Sequence, residues 1–559
     1  MRTFVIQSTG ERWNMSEEEI FWYRRFNVPP STWAPITRLK YLFGFTTGVS
    51  IWWKKHAISE QSILSFIHPD HSIPVIKDDE WIKEEFLQGK SIDPNRPFFP
   101  QIEKLIYQIP YGAMRDNGSN IQSIAVDMIN SQNCYMTFGG AHCKDVWYIS
   151  ICHDCERSLD TTNGTYSSDA FFSNHLANSH NIVAGFQSIE CLSSAFIFDC
   201  RNCEYCFGAT NKRNRKYLWW NEQLSKEEWE KRRQEINLSC FSVFSKCWQI
   251  FFKLIEEEAK WPKCFSTASE TSTGEYLYKC TRCFNGYWLK QSTDVFSCWF
   301  CDDFRDSAFC TWTGWGGGSY FSNNCINMDQ IRFCDVVWYS SNMEYCFNCH
   351  DCEYCFGCVG LKKKRFCILN KQYKEEEYWL IVDELKIKML ERGEYGRFFP
   401  ADFSPSGFEF SMGNLLLGYT KIELESFGVT HLDSVRGMVF APQQMDTSQV
   451  INIETLPDAL EEINSDHFVN KPLLDKKIER LFSVTESEFG FYQTHKLPFP
   501  REHFLSRIQF LLRTSNIPIS KQTICSYCKK SITYYENQIF QKHDILCRSC
   551  YLKYLEENG

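Results

Sequence analysis

Long apolar runs are missing from this 559-residue sequence, in which no stretch approaches the roughly 18 consecutive apolar residues of a membrane-spanning helix. The first segment, MRTFVIQSTGERWNM, lacks the apolar centre of a secretory signal peptide. Positive charge is scarce as well: 60 Lys and Arg face 69 Asp and Glu, and the net charge of −9 argues against coating nucleic acid along the whole chain. We therefore expect an intracellular, cytoplasmic protein without membrane association.

Cysteine and aromatic residues, by contrast, are abundant. The chain has 28 cysteines, and Phe, Tyr and Trp make up 16% of it. A hydrophobic fraction of 43% and a charged fraction of 23% indicate globular material, with room for several domains. Because intracellular thiols stay reduced, this cysteine content predicts free thiols and metal sites rather than disulfides.

The middle of the chain contains an internal duplication. The segment FDCRNCEYCFG at 198–208 returns as FNCHDCEYCFG at 347–357, an offset of 149 residues that holds without a gap through both copies. The cysteine pairs that share this offset are Cys134/Cys283, Cys152/Cys301, Cys200/Cys349, Cys203/Cys352 and Cys206/Cys355. We interpret the two segments as a tandem duplication.

Each copy has a finer period of 12 residues. Cut from Ser119, the first copy has Ser or Cys at the start of every unit, usually preceded by the turn formers Asn, Asp or His. Bulky side chains recur at Tyr135, Trp147, Leu159 and Phe171. Short strands at a fixed small spacing predict a β-solenoid, with one or two units in each coil.

Helical patterns follow each copy. The segments that start at Lys212 and Lys362 are basic at first and then acidic, with a helix-forming composition. Residues 238–258 carry aromatic side chains at a spacing of three to four. We predict helices that cap the solenoid ends and pack through aromatic faces.

The C-terminal segment carries the clearest metal signal. Two CxxC pairs, with Cys525 and Cys528 in the first and Cys547 and Cys550 in the second, predict a closed tetrahedral structural Zn²⁺ site. An offset of 469 relates the N-terminal segment to this one and places the following residues opposite the four cysteines: His56, Ser59, Asp78 and Trp81. The N-terminal module is therefore interpreted as a copy that has lost its metal ligands.

The predicted fold is mainly β with helical segments, built of two tandem β-solenoid-like repeat domains flanked by small zinc-ribbon or treble-clef-like modules. The predicted boundaries are the N-terminal module (1–118), the first solenoid (119–208), connecting helices (209–267), the second solenoid (268–358), a helical cap (359–400), a linking region (401–490) and the C-terminal four-cysteine zinc module (491–559).

A group of motifs resembles a known family. The CxxCxxCFGC run at 349–358, ILNKQY at 368–373, GEYGRFFP at 393–400 and the terminal four-cysteine unit are similar to those of large cysteine-rich proteins of uncharacterised function, met chiefly in small-genome bacteria. The likeness spans most of the chain and implies an architecture rather than an activity. Family members usually carry cysteines in the N-terminal module too, and this sequence lacks them.

The cysteines spaced by three residues leave two interpretations open. They either hold a metal or an iron–sulfur cluster, or form a column of buried small thiols. The residues concerned are Cys349, Cys352, Cys355 and Cys358 in the second copy and Cys200, Cys203 and Cys206 in the first.

The function expected from these features is a non-enzymatic, zinc-stabilised structural or protein-interaction scaffold, with no catalytic residues and a protein partner. The alternative is a nucleic-acid- or ribosome-associated zinc protein, and a third hypothesis is a redox or iron–sulfur enzyme. The alternative would use the basic C-terminal module and the residues Lys212, Arg213, Lys362, Lys363, Lys364 and Arg365.

Overall fold

A computed structural model describes residues 3–5, 12–87, 89, 91–269, 271–433 and 450–559 of the chain. It contains 36% strand and 26% helix, which confirms the mainly-β class with helical segments. The chain divides into two compact units. The first unit takes in the described parts of Met1–Asn117 and Cys264–Gly437, and the second unit those of Gly118–Lys263 and Met438–Gly559.

The elements follow one another along the chain in four groups. The N-terminal group is β1 (Thr3–Val5), β2 (Arg12–Asn14), α1 (Glu17–Phe26), α2 (Pro35–Phe43), β3 (Trp52–Lys55), β4 (Ser62–Ser65), β5 (Val75–Ile76), α3 (Asp78–Lys83), α4 (Phe99–Ile106) and β6 (Tyr111–Gly112). The group of the first copy is β7 (Ile124–Ile129), β8 (Gln132–Ala141), β9 (Lys144–His153), β10 (Glu156–Thr162), β11 (Ser168–Ala177), β12 (His180–Ile189), β13 (Leu192–Phe198), β14 (Phe207–Thr210), β15 (Leu218–Trp219), β16 (Glu222–Gln223), α5 (Lys226–Gln234), α6 (Phe241–Glu257) and β17 (Lys260–Pro262).

The group of the second copy is β18 (Gly274–Tyr278), β19 (Thr281–Phe284), β20 (Gly286–Lys290), β21 (Thr293–Phe296), β22 (Trp299–Ala308), β23 (Thr311–Gly317), β24 (Ser319–Tyr320), β25 (Asn323–Ile326), β26 (Asp329–Arg332), β27 (Asp335–Trp338), β28 (Ser341–Glu344), β29 (Phe347–His350), β30 (Glu353–Phe356), β31 (Arg365–Ile368), β32 (Lys371–Gln372), α7 (Glu375–Glu391), α8 (Met412–Leu417) and α9 (Lys421–Phe427). The C-terminal group is β33 (Ile451–Asn452), α10 (Ser465–Phe468), β34 (Leu473–Asp475), β35 (Arg480–Phe482), α11 (Glu486–His495), α12 (Phe504–Arg513), β36 (Asn516–Ile524), β37 (Ser531–Asn537), β38 (Asp544–Leu546) and α13 (Arg548–Asn558). No helix in the described ranges is both long and apolar enough to cross a membrane.

The second unit is built on a stack of parallel strands with a register of 12 residues. Within the described residues, β7 to β16 form one ten-stranded sheet in chain order. The register can be followed from strand to strand through residues that are Cα partners: Tyr135, Trp147, Leu159, Phe171, Val183, Ala195, Phe207 and Trp219. One 12-residue unit therefore advances the chain by one layer of the stack.

Each layer bends at every third residue. Residues with positive φ recur at this spacing, as at Asn133, Met136, His142 and Asp145. Asn and Asp tolerate this left-handed conformation because their short polar side chains bond locally, which fits the turn formers noted in the sequence. The residue after each bend has a buried side chain, as in Cys134. The CxxC spacing of the repeats is thus the spacing of the bends.

Small polar side chains at these buried positions bond one layer to the next. The Ser179 hydroxyl donates to the carbonyl of Ala177 at 2.9 Å and accepts the amide of Cys191 in the following layer at 3.1 Å. The Cys334 thiol plays the same part for the Cys346 amide at 3.3 Å. A buried amide without a partner is costly, so Ser and Cys are favoured at the column they share.

The first unit repeats this construction with the second copy. Its large sheet is parallel with the same register, as in the Cα partners Asn323, Asp335 and Phe347. Its interior is lined mainly by cysteines and aliphatic side chains that are almost fully buried. All cysteines of the copies are free, which agrees with the expected reduced thiols.

Helices follow both copies, but the regions predicted as helical from 209 and from 359 begin with further short strands, and the helices start only at Lys226 and Glu375. The aromatic stretch becomes α6, which buries Cys247, Phe251, Leu254 and Ile255 at helical spacing. After the first copy, α5 begins at the N-cap Ser225, whose hydroxyl accepts the Glu228 amide at 3.2 Å.

In the first unit, the N-terminal group packs on the sheet through a buried guanidinium. Arg38 of α2 bonds to Glu19 of α1 and lies 3.6 Å from the ring centroid of Phe309. The Thr46 hydroxyl donates to Asn323 Oδ1 at 2.9 Å. A side-chain network with no exposed member therefore joins these helices to the second copy.

In the second unit, the C-terminal group packs on the first copy in the same way. Arg507 of α12 lies 2.7 Å from Asp160 of β10. Asn174 Nδ2 donates to the Ser515 hydroxyl at 2.9 Å. Both ion-pair partners are buried.

The buried contacts inside one unit have counterparts inside the other. The residues that make them are related by the sequence offsets of 469 and 149. Glu19, Tyr23, Arg38 and Thr46 stand 469 residues before the residues Glu488, Tyr492, Arg507 and Ser515, and Asn174 stands 149 before Asn323. In both units the tyrosine donates to the glutamate four residues before it. The N-terminal segment thus belongs with the second copy, and the C-terminal segment with the first.

Candidate metal centre

The four C-terminal cysteines are supplied by a hairpin and by the start of a helix. Cys525 and Cys528 lie in the turn between β36 and β37, which closes through the amide of Lys529 donating to the Cys525 carbonyl at 3.0 Å. Lys529 has a positive φ of 61°. Cys547 is the N-cap of α13, and Cys550 lies in its first turn. Hairpin and helix therefore direct two thiols each toward one point.

The four sulfur atoms all lie within 4.8 Å of one another. Cys528 Sγ and Cys547 Sγ are 3.7 Å apart, far beyond the roughly 2.05 Å of a disulfide. A tetrahedral ion with sulfur at about 2.3 Å has sulfur–sulfur edges of about 3.8 Å. The cluster could hold a metal ion, and the structure brings together all four cysteines that the sequence singled out.

Backbone amides favour the thiolate form at this site. The Cys547 amide donates to Cys525 Sγ at 3.3 Å. Burial raises the pKa of Cys525, but this amide and those of Cys528 and Tyr527 outweigh it and lower the pKa to about 6. Burial also opposes ionisation of Cys547, and the Ser549 hydroxyl and the Cys550 amide bring its pKa below the ordinary value. The hydrogen bond with Cys547 raises the pKa of Cys550 to about 12, so ionisation of the whole cluster would require a cation.

Tyr551, the residue after the last cysteine, holds the C-terminal module on the first copy. Tyr551 is buried, and its hydroxyl bonds to Asp199, a residue of the strand stack. Arg213 Nη2 lies 3.0 Å from the same carboxylate. Alongside, β38 pairs in parallel with β17, with Trp261 opposite Ile545. The thiol cluster and the contact to the first copy are therefore adjacent in this unit.

The basic run of the first copy is used inside the second unit. Lys212 Nζ donates to the Asn558 carbonyl at 2.7 Å, and Arg215 donates to the Gly559 carbonyl at 2.9 and 2.7 Å. Carbonyls at a helix C-terminus attract cations. The sequence also predicted Lys212 and Arg213 as contacts for nucleic acid, and the structure places both against the C-terminal module.

The corresponding basic run of the second copy contacts other residues of the first unit through three of its four side chains. Lys362 Nζ lies 4.0 Å from the ring centroid of Trp81. Lys364 lies 3.3 Å from Glu85, and Arg365 lies 2.9 Å from Glu353. Lys363 is exposed.

In the N-terminal module, the residues opposite the four cysteines make other contacts. His56 Nδ1 accepts the amides of Ile58 at 3.2 Å and Ser59 at 3.1 Å, as a thiolate would in such a turn. His56 Nε2 lies 2.7 Å from Glu80 Oε2. Asp78 accepts the amide of Met114 at 3.0 Å instead. An imidazole with an acidic partner stands where the other module has its thiol cluster.

The cysteines at three-residue spacing in the copies are buried thiols in the layers. Each sulfur lies 3.2–3.6 Å from the carbonyl oxygen two residues earlier. This holds for Cys200, Cys203, Cys206, Cys349, Cys352, Cys355 and Cys358. Among the residues that the structure describes, the C-terminal cluster is the one set of three or more ligand atoms gathered as a metal requires. The geometry favours the buried-thiol interpretation.

Comparison with known proteins adds no family to these observations. No protein-family model matches the chain, and no curated protein is significantly similar to it.

Proposed function

We propose that this protein is a non-enzymatic scaffold for protein interaction, stabilised by zinc. In this proposal the two strand stacks are β-solenoids that arose by tandem duplication, and the end segments are treble-clef-like modules that cap them. The observation that carries it is the direct succession of Cys550, a metal-site thiol, and Tyr551, which docks on Asp199. A metal at this place orders a docking contact.

The donor set also supports a structural ion. Four protein thiolates fill a tetrahedral zinc and leave no position for a substrate or an activated water. The bonds from the basic run to the end of α13 hold the same module from its other end. We further propose that the chain belongs with the uncharacterised cysteine-rich proteins whose motifs it resembles.

Metal analysis of the purified full chain tests this proposal. We expect one zinc per chain, no iron and a colourless protein, because the cysteines of the layers bond to backbone carbonyls and the C-terminal cluster holds the ion. Iron with a visible absorbance band would contradict the scaffold function and support the redox hypothesis. Two or three zinc ions per chain would show that the layers bind metal and would contradict the proposed single site.

A second candidate function, nucleic-acid binding, is favoured by the surface beside the metal centre. Tyr527 in the cysteine turn is 49% exposed, and Lys529, Lys530 and Arg548 around it are exposed as well. An exposed aromatic ring among cations suits stacked bases and phosphates.

Binding of single-stranded RNA to the zinc-loaded full chain tests this alternative. We expect salt-sensitive binding that Arg548→Glu weakens about tenfold or more, because one phosphate contact is lost and a repulsive charge is added. Lys363→Glu tests the basic run of the second copy in the same assay. The matched control Lys421→Glu changes a lysine of α9 that is 91% exposed and lies outside both regions. Indifference to Arg548→Glu and Lys363→Glu would reject the nucleic-acid function.

A further inference from the structure

Helix α7, which follows the second copy in the first unit, has apolar residues on both sides. Its packed side buries Tyr378, Val382, Leu385 and Met389. A helix at a protein surface is ordinarily polar on its opposite side. The outer side of α7 departs from that rule.

Four large apolar side chains lie on the outer side of α7. Leu380 is 73% exposed, Ile387 55%, Leu390 51% and Trp379 41%. Leu380 and Ile387 are seven residues apart and therefore lie one above the other along the helix, with Leu390 and Trp379 beside them. We call these four residues the docking face.

The helix does not need this face in order to pack on the strand stack. In the first copy, the residues 149 positions before Trp379 and Leu380 are Glu230 and Lys231, and both are exposed and charged. The counterpart of Ile387 is Leu238, which lies beyond the end of α5 and is buried. The two copies share one packed position of this helix, Tyr378 and its counterpart Trp229, and differ on its outer side.

The charges along the docking face are negative. Glu376, Asp383 and Glu384 are exposed and lie on the same side of the helix as Leu380. The lysines of this stretch have acidic partners of their own: Lys386 bonds to Glu344, and Lys388 lies 3.0 Å from Glu391. A ligand of this face therefore meets apolar side chains beside uncompensated carboxylates.

We propose that the docking face binds an amphipathic helix of a partner protein, one that carries Lys or Arg beside its own apolar stripe. This rests on the scaffold function proposed above and names its partner class. An anionic membrane or a nucleic acid would be repelled by the carboxylates. A second copy packed antiparallel about the middle of α7 would place Asp383 opposite itself, and like charges in contact are unfavourable.

The test uses the zinc-loaded full chain and a labelled 20-residue peptide, helical, with leucine at heptad a and d positions and lysine beside them. The double variant Leu380→Glu with Ile387→Glu should weaken binding about tenfold or more, because two buried aliphatic contacts are lost. Glu384→Lys should weaken it and reduce its salt dependence. Ile422→Glu, at a residue of α9 that is 65% exposed, is the matched control and should bind as the unchanged chain does.

The outcomes separate the possible occupants. Binding that needs the lysine peptide and the four-residue face supports the proposal, whereas no binding, or equal binding of a glutamate version of the peptide, overturns it. Self-association that Leu380→Glu abolishes would make the occupant a second copy, and capture by anionic vesicles would make it a membrane; either result overturns it too. Zinc content is measured on the same samples, so loss of the scaffold's metal is distinguished from loss of this face.

Discussion

Replacing Cys547 with serine is expected to remove the zinc and to unfold the C-terminal module from the second unit. Structural zinc supplies on the order of 10 kcal/mol to small domains that depend on it, and here its loss also frees the start of α13. Tyr551 and the contact to Asp199 follow immediately in that helix. The measurement is zinc per chain together with thermal unfolding followed by near-ultraviolet circular dichroism.

Cys240→Ser is the matched control for this change. Cys240 is a half-buried free thiol in the same unit and lies outside the metal cluster. This variant should keep one zinc and nearly the same melting temperature. An unchanged zinc content and melting temperature in Cys547→Ser would contradict the assignment of the metal site.

Replacing Arg507 with methionine is expected to destabilise the second unit by about 3–5 kcal/mol, because it leaves buried carboxylates without their cation. Arg507 is the ion-pair partner of Asp160, and its charge also acts on Glu488, which accepts the Tyr148 hydroxyl at 3.0 Å. Chemical denaturation of the zinc-loaded chain measures the loss. Arg513→Met, at a partly exposed arginine of the same helix, is the control and should have a small effect.

The loss of stability in Arg507→Met should grow as the pH rises. Burial raises the pKa of Asp160 to about 6 and that of Glu488 to about 7, although Arg507 opposes both shifts. Groups with raised pKa values favour the folded state at acid pH, below the values of the unfolded chain near 4. That contribution disappears as the pH rises through 6 and 7. Without Arg507 both pKa values rise further, so the variant should be least affected near pH 5 and most affected near pH 8.

Neutralising the orphaned acid should restore stability. The double variant Arg507→Met with Asp160→Asn removes one buried charge and should recover part of the loss at pH 8. Equal stability of the single and double variants at pH 8 would show that the ion pair does not account for the effect.

Much of the local construction could be predicted from the sequence, because it repeats. The 12-residue period predicted recurring short strands but left open whether one or two units make a layer, and the paired CxxC motifs predicted the thiol cluster. What remained open was the meaning of the three-residue spacing in runs such as Cys200 to Cys206. Only the backbone shows that it is the distance between bends, since a cluster ligand set and a column of buried thiols have the same sequence pattern.

The contacts that hold the C-terminal module on the first copy could not be predicted, because they join segments that are distant in the sequence. Asp199 and Arg213 meet Tyr551 only after the C-terminal module has reached the first copy. The basic run of the first copy looks solvated in the sequence until its partners at the end of α13 are known. One signal was available: the offset of 469 already related Glu19 to Glu488 and Arg38 to Arg507, and matched buried acids and bases indicate a matched core.

The crosswise composition of the two units has a consequence for synthesis on the ribosome. The N-terminal segment can find its place only after the second copy, from Cys264 onward, has emerged. The first copy in turn must wait for the last segment of the chain. The first unit is complete only after the whole first copy has been made, and the second unit only after the first unit. Native contacts of long sequence separation therefore join the segments of both units and should slow folding. Truncated chains would therefore expose the sides of the strand stacks that the missing segments cover.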